Sequence, residues 1–558
     1  PRAGSADARA ITMKEVQIST VTTAAASPMV RGEKRGTAGE WGMGGLSTHA
    51  IRQRLARDNA PMLRRPLLMA LLGCLPLLAT AQNLPPEFDA ALARAKLPRD
   101  AVSVLVVDAL GNATPRVAHR INVPVNPASV MKLVTTYAAL DLLGPAYTWS
   151  TPVYIEGAVR EGTLYGNLYI KGQGDPKLVL ERLWLLLRRV QGLGIRSIAG
   201  DIVLDLSALE IPEVDPSSFD GEPLRPYNAA PDALLINFKS VVMTFTPDRT
   251  ANLAQVQFDP PLHGVQMQTT VPLTSGSNGD CGDYRGALKA DFSDANRIRF
   301  LGSYSAACGE KVWPVAYADP KSYGVRAVQG LWLDMGGKLT GTVRYGLVPA
   351  AIAAAKPAFE VGSAPLPEVI RDINKFSNNV MAQQLFLTLG RVVPATTPAT
   401  IADATATDPA LALNLASTLS QGSFTASRAQ VLRWWKERIS ADDLPVLDNG
   451  SGLSRQERIT AQALGKLLQT AYRSPVMPEL MASLPITGVD GTLRRVKSRA
   501  LGSAHLKTGS LNNVVAIAGY VHSPSGKRTV LVAIVNHPNA NAARPALEAL
   551  VEWAAKER

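Results

Sequence analysis

Residues 101–143 read AVSVLVVDALGNATPRVAHRINVPVNPASVMKLVTTYAALDLL. The first eight, AVSVLVVD, form an apolar strand-type run, and residues 128–143, ASVMKLVTTYAALDLL, have the texture of a helix that stops at Gly144-Pro145. A strand feeding a helix would place Ser129 in the first turn, where backbone N–H groups and the positive end of the helix dipole converge. Lys132 follows three residues later, one turn on and on the same face. An amine in that position can touch the hydroxyl, which is how a serine becomes a nucleophile without histidine.

Two more motifs follow in order, Ser377-Asn-Asn379 and Lys507-Thr-Gly509. Singly, each is weak: a Ser-x-x-Lys arises roughly once by chance in a chain this long, and Ser-x-Asn recurs at Ser510. Their conjunction is informative because each falls on the element its chemistry wants, a helix start, a helix edge and a strand. Lys132 and Ser377 are 245 residues apart, far more than a loop accommodates, so a folded unit must lie between them.

That intervening stretch changes texture after Trp149, to short β-type runs such as TPVYIEG, GTLYGNLYIKG, IAGDIVLDLS, VVMTFTPD and LAQVQFDP, interrupted by a helical stretch over 177–193. Helices return from about 358, including LPEVIRDINKFSNNVMAQQLFLTLG. KTGSLNNVVAIAGYVHS and RTVLVAIVNHP then read as two strands around a Ser-Pro-Ser-Gly turn, ahead of a last helix from Ala542.

With 558 residues, 46% hydrophobic and 19% charged, the chain is long enough for two or three folded domains and is not disordered. From Met62 the sequence MLRRPLLMALLGCLPLLATAQ has the basic start, short apolar run and Ala79-Thr-Ala81 site of a secretory signal peptide cleaved before Gln82. A lipoprotein signal ending at Cys74 is the lesser alternative. Residues 1–61 precede this complete signal and are expected to be a spurious or disordered extension, with Met62 as the true start. Without residues 1–81, 47 Lys+Arg stand against 41 Asp+Glu, a net charge of +6 in place of +12. Such a mild excess fits an ordinary solvated surface, and no nucleic-acid motif accompanies it. Cys281 and Cys308 then remain as an even pair; a disulfide is expected in an oxidising compartment, two buried free thiols being the alternative. No metal-ligand spacing is present, and neither metal nor cofactor is expected.

The three motifs resemble those of the penicillin-binding and serine β-lactamase superfamily. Gly172-Gln-Gly-Asp-Pro176, Ile373-Asn-Lys-Phe-Ser-Asn-Asn379, Asn449-Gly-Ser-Gly-Leu-Ser454, Gly488-Val-Asp-Gly-Thr-Leu493 and Lys507-Thr-Gly-Ser-Leu511 narrow the likeness. Together they resemble the D-alanyl-D-alanine carboxypeptidase/endopeptidase family of penicillin-binding protein 4, over residues 85–555. The chain departs from that pattern at Asn378, where many members carry aspartate, and at Ala382-Gln383, where Ala-Glu is common.

The resemblance implies an α+β fold, with a transpeptidase-like domain of antiparallel sheet flanked by helices over 82–152 and 353–558, split by a β-rich insertion over 153–352. It implies a periplasmic serine DD-peptidase acting on peptidoglycan peptides and acylated by β-lactams. A β-lactamase and a non-hydrolytic β-lactam sensor or wall-binding scaffold are the alternatives. Acyl transfer would use Ser129 as nucleophile, Lys132 as general base and Ser377 as proton carrier. Asn379 would orient Lys132 and meet the substrate amide. Lys507 and Thr508 suit a terminal carboxylate, and Gly509 would let the substrate backbone lie along the strand. By resemblance, the N–H groups of Ser129 and Ser510 would form the oxyanion hole. Expected partners are peptidoglycan peptides and β-lactams, with no nucleic acid, at most peripheral membrane association, and homodimerisation left open. His505, Asp175 and Asp490 read as structural, as does the aliphatic stretch LWLLLRRV, whose leucines suit a helix core rather than a membrane.

Overall fold

The computed structural model describes residues 84–274, 280–392 and 421–556. The export segment and the stretch before it lie outside these residues. Helix α1 (Pro86–Arg94) leads into β1 (Val102–Asp108) and the short β2 (Val117–His119). A turn of 3₁₀ helix over Ala128–Met131 then precedes α2 (Lys132–Leu143). The first turn is therefore tighter than the α-helix expected from residue 128. Ala128 has φ 47°, which cannot begin an α-helix, and its N–H is held at 2.8 Å by Asn126 Oδ1. The end falls at Gly144, as the sequence indicates, with φ 77°.

After the middle segment come α3 (Leu366–Phe376) and α4 (Asn379–Leu389), joined at Ser377, which is left-handed with φ 57° and ψ 37°. Asn378 caps α4, its Oδ1 accepting from Met381 N at 3.0 Å. Asparagine caps a helix as well as aspartate does, so this departure from the family pattern leaves the turn intact. Helix α5 (Ala461–Arg473) precedes three strands, β3 (Ala504–Leu511), β4 (Val514–His522) and β5 (Arg528–Asn536), and α6 (Arg544–Ala555) ends the described chain. The C-terminal stretch thus holds three strands where the sequence pattern suggested two. Asn512-Asn513 forms a two-residue hairpin turn, with Asn513 at φ 68°, a conformation asparagine tolerates better than most residues.

Both ends of the chain build one antiparallel sheet in the order β2-β1-β5-β4-β3. Alternation along its strands explains their unbroken apolar runs. Val104, Val106, Leu531 and Ala533 face a cluster shared with α1 and α6, while Leu105, Val107, Val530 and Val532 face the core around α2 and α5. A sheet covered on both faces needs apolar residues at every position. The expected α+β class, antiparallel sheet flanked by helices, is borne out.

Between these parts, Ser150–Ile155 and Phe359–Gly362 pair in a five-stranded sheet with Leu168–Lys171, Ile202–Asp205 and Val343–Tyr345. That sheet extends past residue 352, because Phe359 pairs with Val153. A second five-stranded sheet is built on Ser240–Asp248 and Leu253–Asp259. Leu183, Leu186, Leu187 and Val190 of the helix Leu180–Gly192 join both sheets in one apolar cluster, the packing use expected for the aliphatic stretch. Among the described residues, no helix is long and apolar enough to cross a membrane.

Cys281 and Cys308 are joined by a disulfide, with Cα atoms 4.4 Å apart and a sequence separation of 27. A bridge of this kind restricts the unfolded chain. The double variant Cys281→Ser/Cys308→Ser is expected to lower stability by about 2–4 kcal/mol, read as a fall in the denaturant midpoint of the non-reduced protein.

Candidate active site

Ser129 lies on the 3₁₀ turn, in a crevice that other segments close tightly. A Cβ at Gly509 would stand 2.6 Å from Pro127 O and 3.1 Å from Ser129 N, and one at Gly452 would stand 2.0 Å from Ala128 O. Only glycine allows β3 and the 449–454 loop to approach the Ser129 turn so closely. Asn126 ties the same turn down: its Nδ2 donates to Ser454 O at 2.9 Å, and its backbone exchanges two hydrogen bonds with Asn536 at the end of β5.

Lys132 is wholly buried. Its Nζ donates to Ser129 Oγ at 2.9 Å, to Asn379 Oδ1 at 2.6 Å, and to the carbonyl of Ser451. Burial pushes the Lys132 pKa well below its ordinary 10.5, the Lys507 charge adds to that, and Glu457 opposes it. An amine whose hold on its proton is weakened, 2.9 Å from a hydroxyl, meets the geometric condition for a general base.

Lys507 is equally buried. Its Nζ donates to Ser377 Oγ at 2.9 Å and to Thr508 O at 2.7 Å, and burial brings its pKa down to about 7. The structure thus brings Ser129, Lys132 and Asn379 into one cluster and Ser377 with Lys507 into an adjoining one. No hydrogen bond joins Lys132 to Ser377; the serine hydroxyl is paired with Lys507 instead. Thr508 Oγ1 lies 2.8 Å from Thr492 Oγ1. Ser129, Ser377, Thr508, Gly509 and Ser510 line one cleft of about 690 Å³.

Several contributors escaped the sequence reading. The Ser451 carbonyl is one; the Asn449–Ser454 motif was visible, but a backbone acceptor has no residue signature. Glu457 is another. It is wholly buried, and its Oε1 accepts from Asp448 N at 3.2 Å and Gly450 N at 3.0 Å, which pins the loop that presents Ser451. Burial raises its pKa to about 7. Tyr227, from the middle segment, reaches the site through its carbonyl, 3.4 Å from Asn379 Nδ2.

Asp490 does form a turn, accepting from Ile486 N at 2.8 Å, and it also pairs with the buried Lys375 at 2.7 Å. Lys375 Nζ donates further to Leu484 O at 2.6 Å. The pair therefore fastens the 484–490 segment to the helix that ends at Ser377. Asp175 caps a turn by accepting from Lys177 N at 2.8 Å. His505 lies half-buried with Nδ1 3.3 Å from Met481 O and its ring edge-on to His522. Among the described residues, no group of three or more His, Cys, Asp or Glu is placed to hold a metal ion.

A serine hydroxyl held by a buried lysine beside a glycine-bearing edge strand defines an acyl-transfer site. Comparison with known proteins places it more narrowly. Residues 84–557 match the D-Ala-D-Ala carboxypeptidase 3 (S13) family, and the chain belongs to that family. It is 27% identical over 519 residues to a D-alanyl-D-alanine carboxypeptidase of Actinomadura sp. (strain R39), covering 88% of this chain and 89% of that one. It is 23% identical over 414 residues to the D-alanyl-D-alanine carboxypeptidase DacB of Haemophilus influenzae, covering 73% of this chain and 80% of the relative. The crystal structure of penicillin binding protein 4 from Haemophilus influenzae shares the fold, with a TM-score of 0.59 and 21% identity over 83% of this chain and 99% of that one. The recognition made from the motifs is thereby borne out, and the protein is a serine-type peptidase.

Two expectations follow. Asp490→Ala leaves the Lys375 ammonium buried without its partner. Because Asp490 is itself 35% exposed, the loss belongs at the lower end of the usual range, about 3 kcal/mol in denaturant unfolding. Glu457→Gln removes an anion that raises Lys132, so the acid limb of the kcat/KM profile moves to lower pH. The folded pKa of Glu457, about 7, lies above its ordinary 4.5. Its contribution to stability is therefore fully present below pH 4.5 and lost as pH rises through about 7. Glutamine has no such loss, and the variant's stability should vary less with pH across that window, as measured by thermal melts.

Proposed function

We propose that the protein is a DD-peptidase that hydrolyses D-Ala-D-Ala or D-Ala-meso-diaminopimelate bonds of peptidoglycan through an acyl-enzyme on Ser129. The observation that carries this reading is the buried Lys132 amine 2.9 Å from the Ser129 hydroxyl. In acylation Lys132 takes the Oγ proton as Oγ bonds to the scissile carbonyl carbon. The N–H groups of Ser129 and Ser510 receive the oxyanion, a contribution typically worth about 2.7–4 kcal/mol per donor. Ser377 accepts from Lys507, so as the C–N bond breaks it passes its own proton to the departing nitrogen and takes one from the Lys507 ammonium. Water then attacks the ester by the reverse route and frees Ser129.

The strand edge supports the same reading. The first half of β3 is bridged by Ile486 through a pairing with His505. From Lys507 onward no strand lies beside its outer edge among the described residues. An extended peptide can add there as a further strand, with Gly509 giving it room against the Ser129 turn. A β-lactam presents the same amide-like carbonyl, and acylation by penicillins follows. Export to the periplasm completes the proposal; its support is the signal sequence of residues 62–81.

Ser129→Ala should reduce both fluorescent-penicillin labelling and D-alanine release from muropeptides to background. Labelling that survives the substitution would overturn the nucleophile assignment, and labelling of the wild type without any peptide cleavage would overturn the peptidase reading.

A further inference from the structure

Residues 494–499 read Arg-Arg-Val-Lys-Ser-Arg. Four cations within six residues repel one another. Nothing in the fold offsets this: Arg494, Arg495, Lys497 and Arg499 are all exposed, and among the described residues none of their side chains forms an ion pair or a hydrogen bond. The segment is nevertheless firmly held. Ser498 Oγ and Arg499 N both donate to Glu552 Oε1, at 3.0 and 2.9 Å, and Ala500 N donates to Ser498 Oγ at 3.1 Å. Leu493 and Ala500 anchor its two ends in the apolar cluster shared with α1 and α6. Order is thus imposed on the backbone while the charges are left facing outward.

This basic tract has two sides. On the outer one, with Gly488 and Leu501, it lines a trough of about 750 Å³. Glu552 is the one acid among the lining residues, and its carboxylate is already turned to Ser498 and Arg499 N. On the inner side Arg495, Val496, Lys497 and Ser498 also line the cleft of Ser129. The tract is therefore a wall of that cleft, and Arg494 and Arg499 belong to its outer side alone.

Peptidoglycan is a polymer, in which the stem peptides beside the one being cut hang from the same glycan strand and carry free carboxylates. A guanidinium pairs with a carboxylate through two parallel hydrogen bonds. Several weak contacts to one strand act together. A bilayer bearing phosphates would meet the same charges, but a flat surface seated on a wall of the cleft would stand across its mouth. A strand can cross the tract and still deliver a peptide to Ser129.

We infer that residues 494–499 form a docking site, outside the cleft, for the carboxylates of stem peptides neighbouring the one being cut. The protein then favours polymeric over soluble peptidoglycan. The docking site rests on the DD-peptidase reading.

The test compares sacculi with the soluble muropeptides that a muramidase makes from them, so that the scissile bonds are the same. With the full chain at low ionic strength, the sacculus-to-muropeptide ratio of hydrolysis rates should fall at least about fivefold in Arg494→Gln/Arg499→Gln, the scale of two exposed charge contacts. It should fall further in Arg494→Glu/Arg499→Glu, and Arg494→Lys/Arg499→Lys should retain most of it. Binding to sacculi, read by co-sedimentation, should follow the same order. Added salt should lower the wild-type ratio toward that of the Gln variant, because exposed charges are screened. Thermal melts separate these effects from misfolding, and the wild-type salt dependence decides the matter if the variants do not fold: a ratio indifferent to salt overturns the docking site. So does a ratio unchanged by the Gln and Glu variants, or an equal loss on both substrates. If phosphatidylglycerol vesicles bind wild type but not the Gln variant while the ratio stays constant, the tract is a membrane contact and the docking site falls. Hydrolysis of muropeptides without binding to sacculi also overturns it while sparing the peptidase reading. Hydrolysis of neither substrate defeats that reading, and the docking site with it.

Discussion

The burial of one amine organises this molecule. Lys132 Nζ is removed from water and must be met by acceptors from three separated parts of the chain: Ser129 beside it, Asn379 on α4 and the carbonyl of Ser451. An ammonium buried without such partners would be prohibitively costly. The same enclosure, with a second cation nearby, weakens its hold on the proton. Position and reactivity therefore arise together. The left-handed joint at Ser377, the cap by Asn378 and the carboxyl of Glu457 under the 449–454 loop can each be understood as bringing an acceptor to that amine.

Much of this was legible in the sequence, and what escaped has a common cause. The strand Val102–Asp108 and the helix bearing Lys132 announce themselves because a sheet covered on both faces needs apolar runs and a buried helix needs them all round. Ser129, Lys132, Ser377, Asn379 and Lys507 could be named because it is their side chains that meet in the cluster. Ser451 contributes a carbonyl, which any residue owns. Glu457 is an unremarkable glutamate until the chain folds over it. The third C-terminal strand was hidden because Asn512-Asn513 lies within one continuous apolar pattern, and two residues suffice to reverse it.

The middle segment is more than a spacer in the chain. It has its own apolar cluster and disulfide, yet through Tyr227 it touches the amide of Asn379, the residue that also receives Lys132. A backbone contact of this kind depends on where the segment sits, with little dependence on which side chain it carries. The segment can therefore diverge widely in composition while still framing the site.

Two glycines grip the turn of Ser129 from different segments, Gly509 on β3 and Gly452 on the loop before α5. Neither position can gain even a methyl group without displacing backbone. The spacing of the Ser129 turn, strand and loop is thus fixed by exclusion, independently of any attraction among them. Evolutionary change in such a site is channelled outward: the walls and rim of the cleft are free to exchange residues and alter what is accepted, whereas the distances at the reacting centre are held constant by the absence of two side chains.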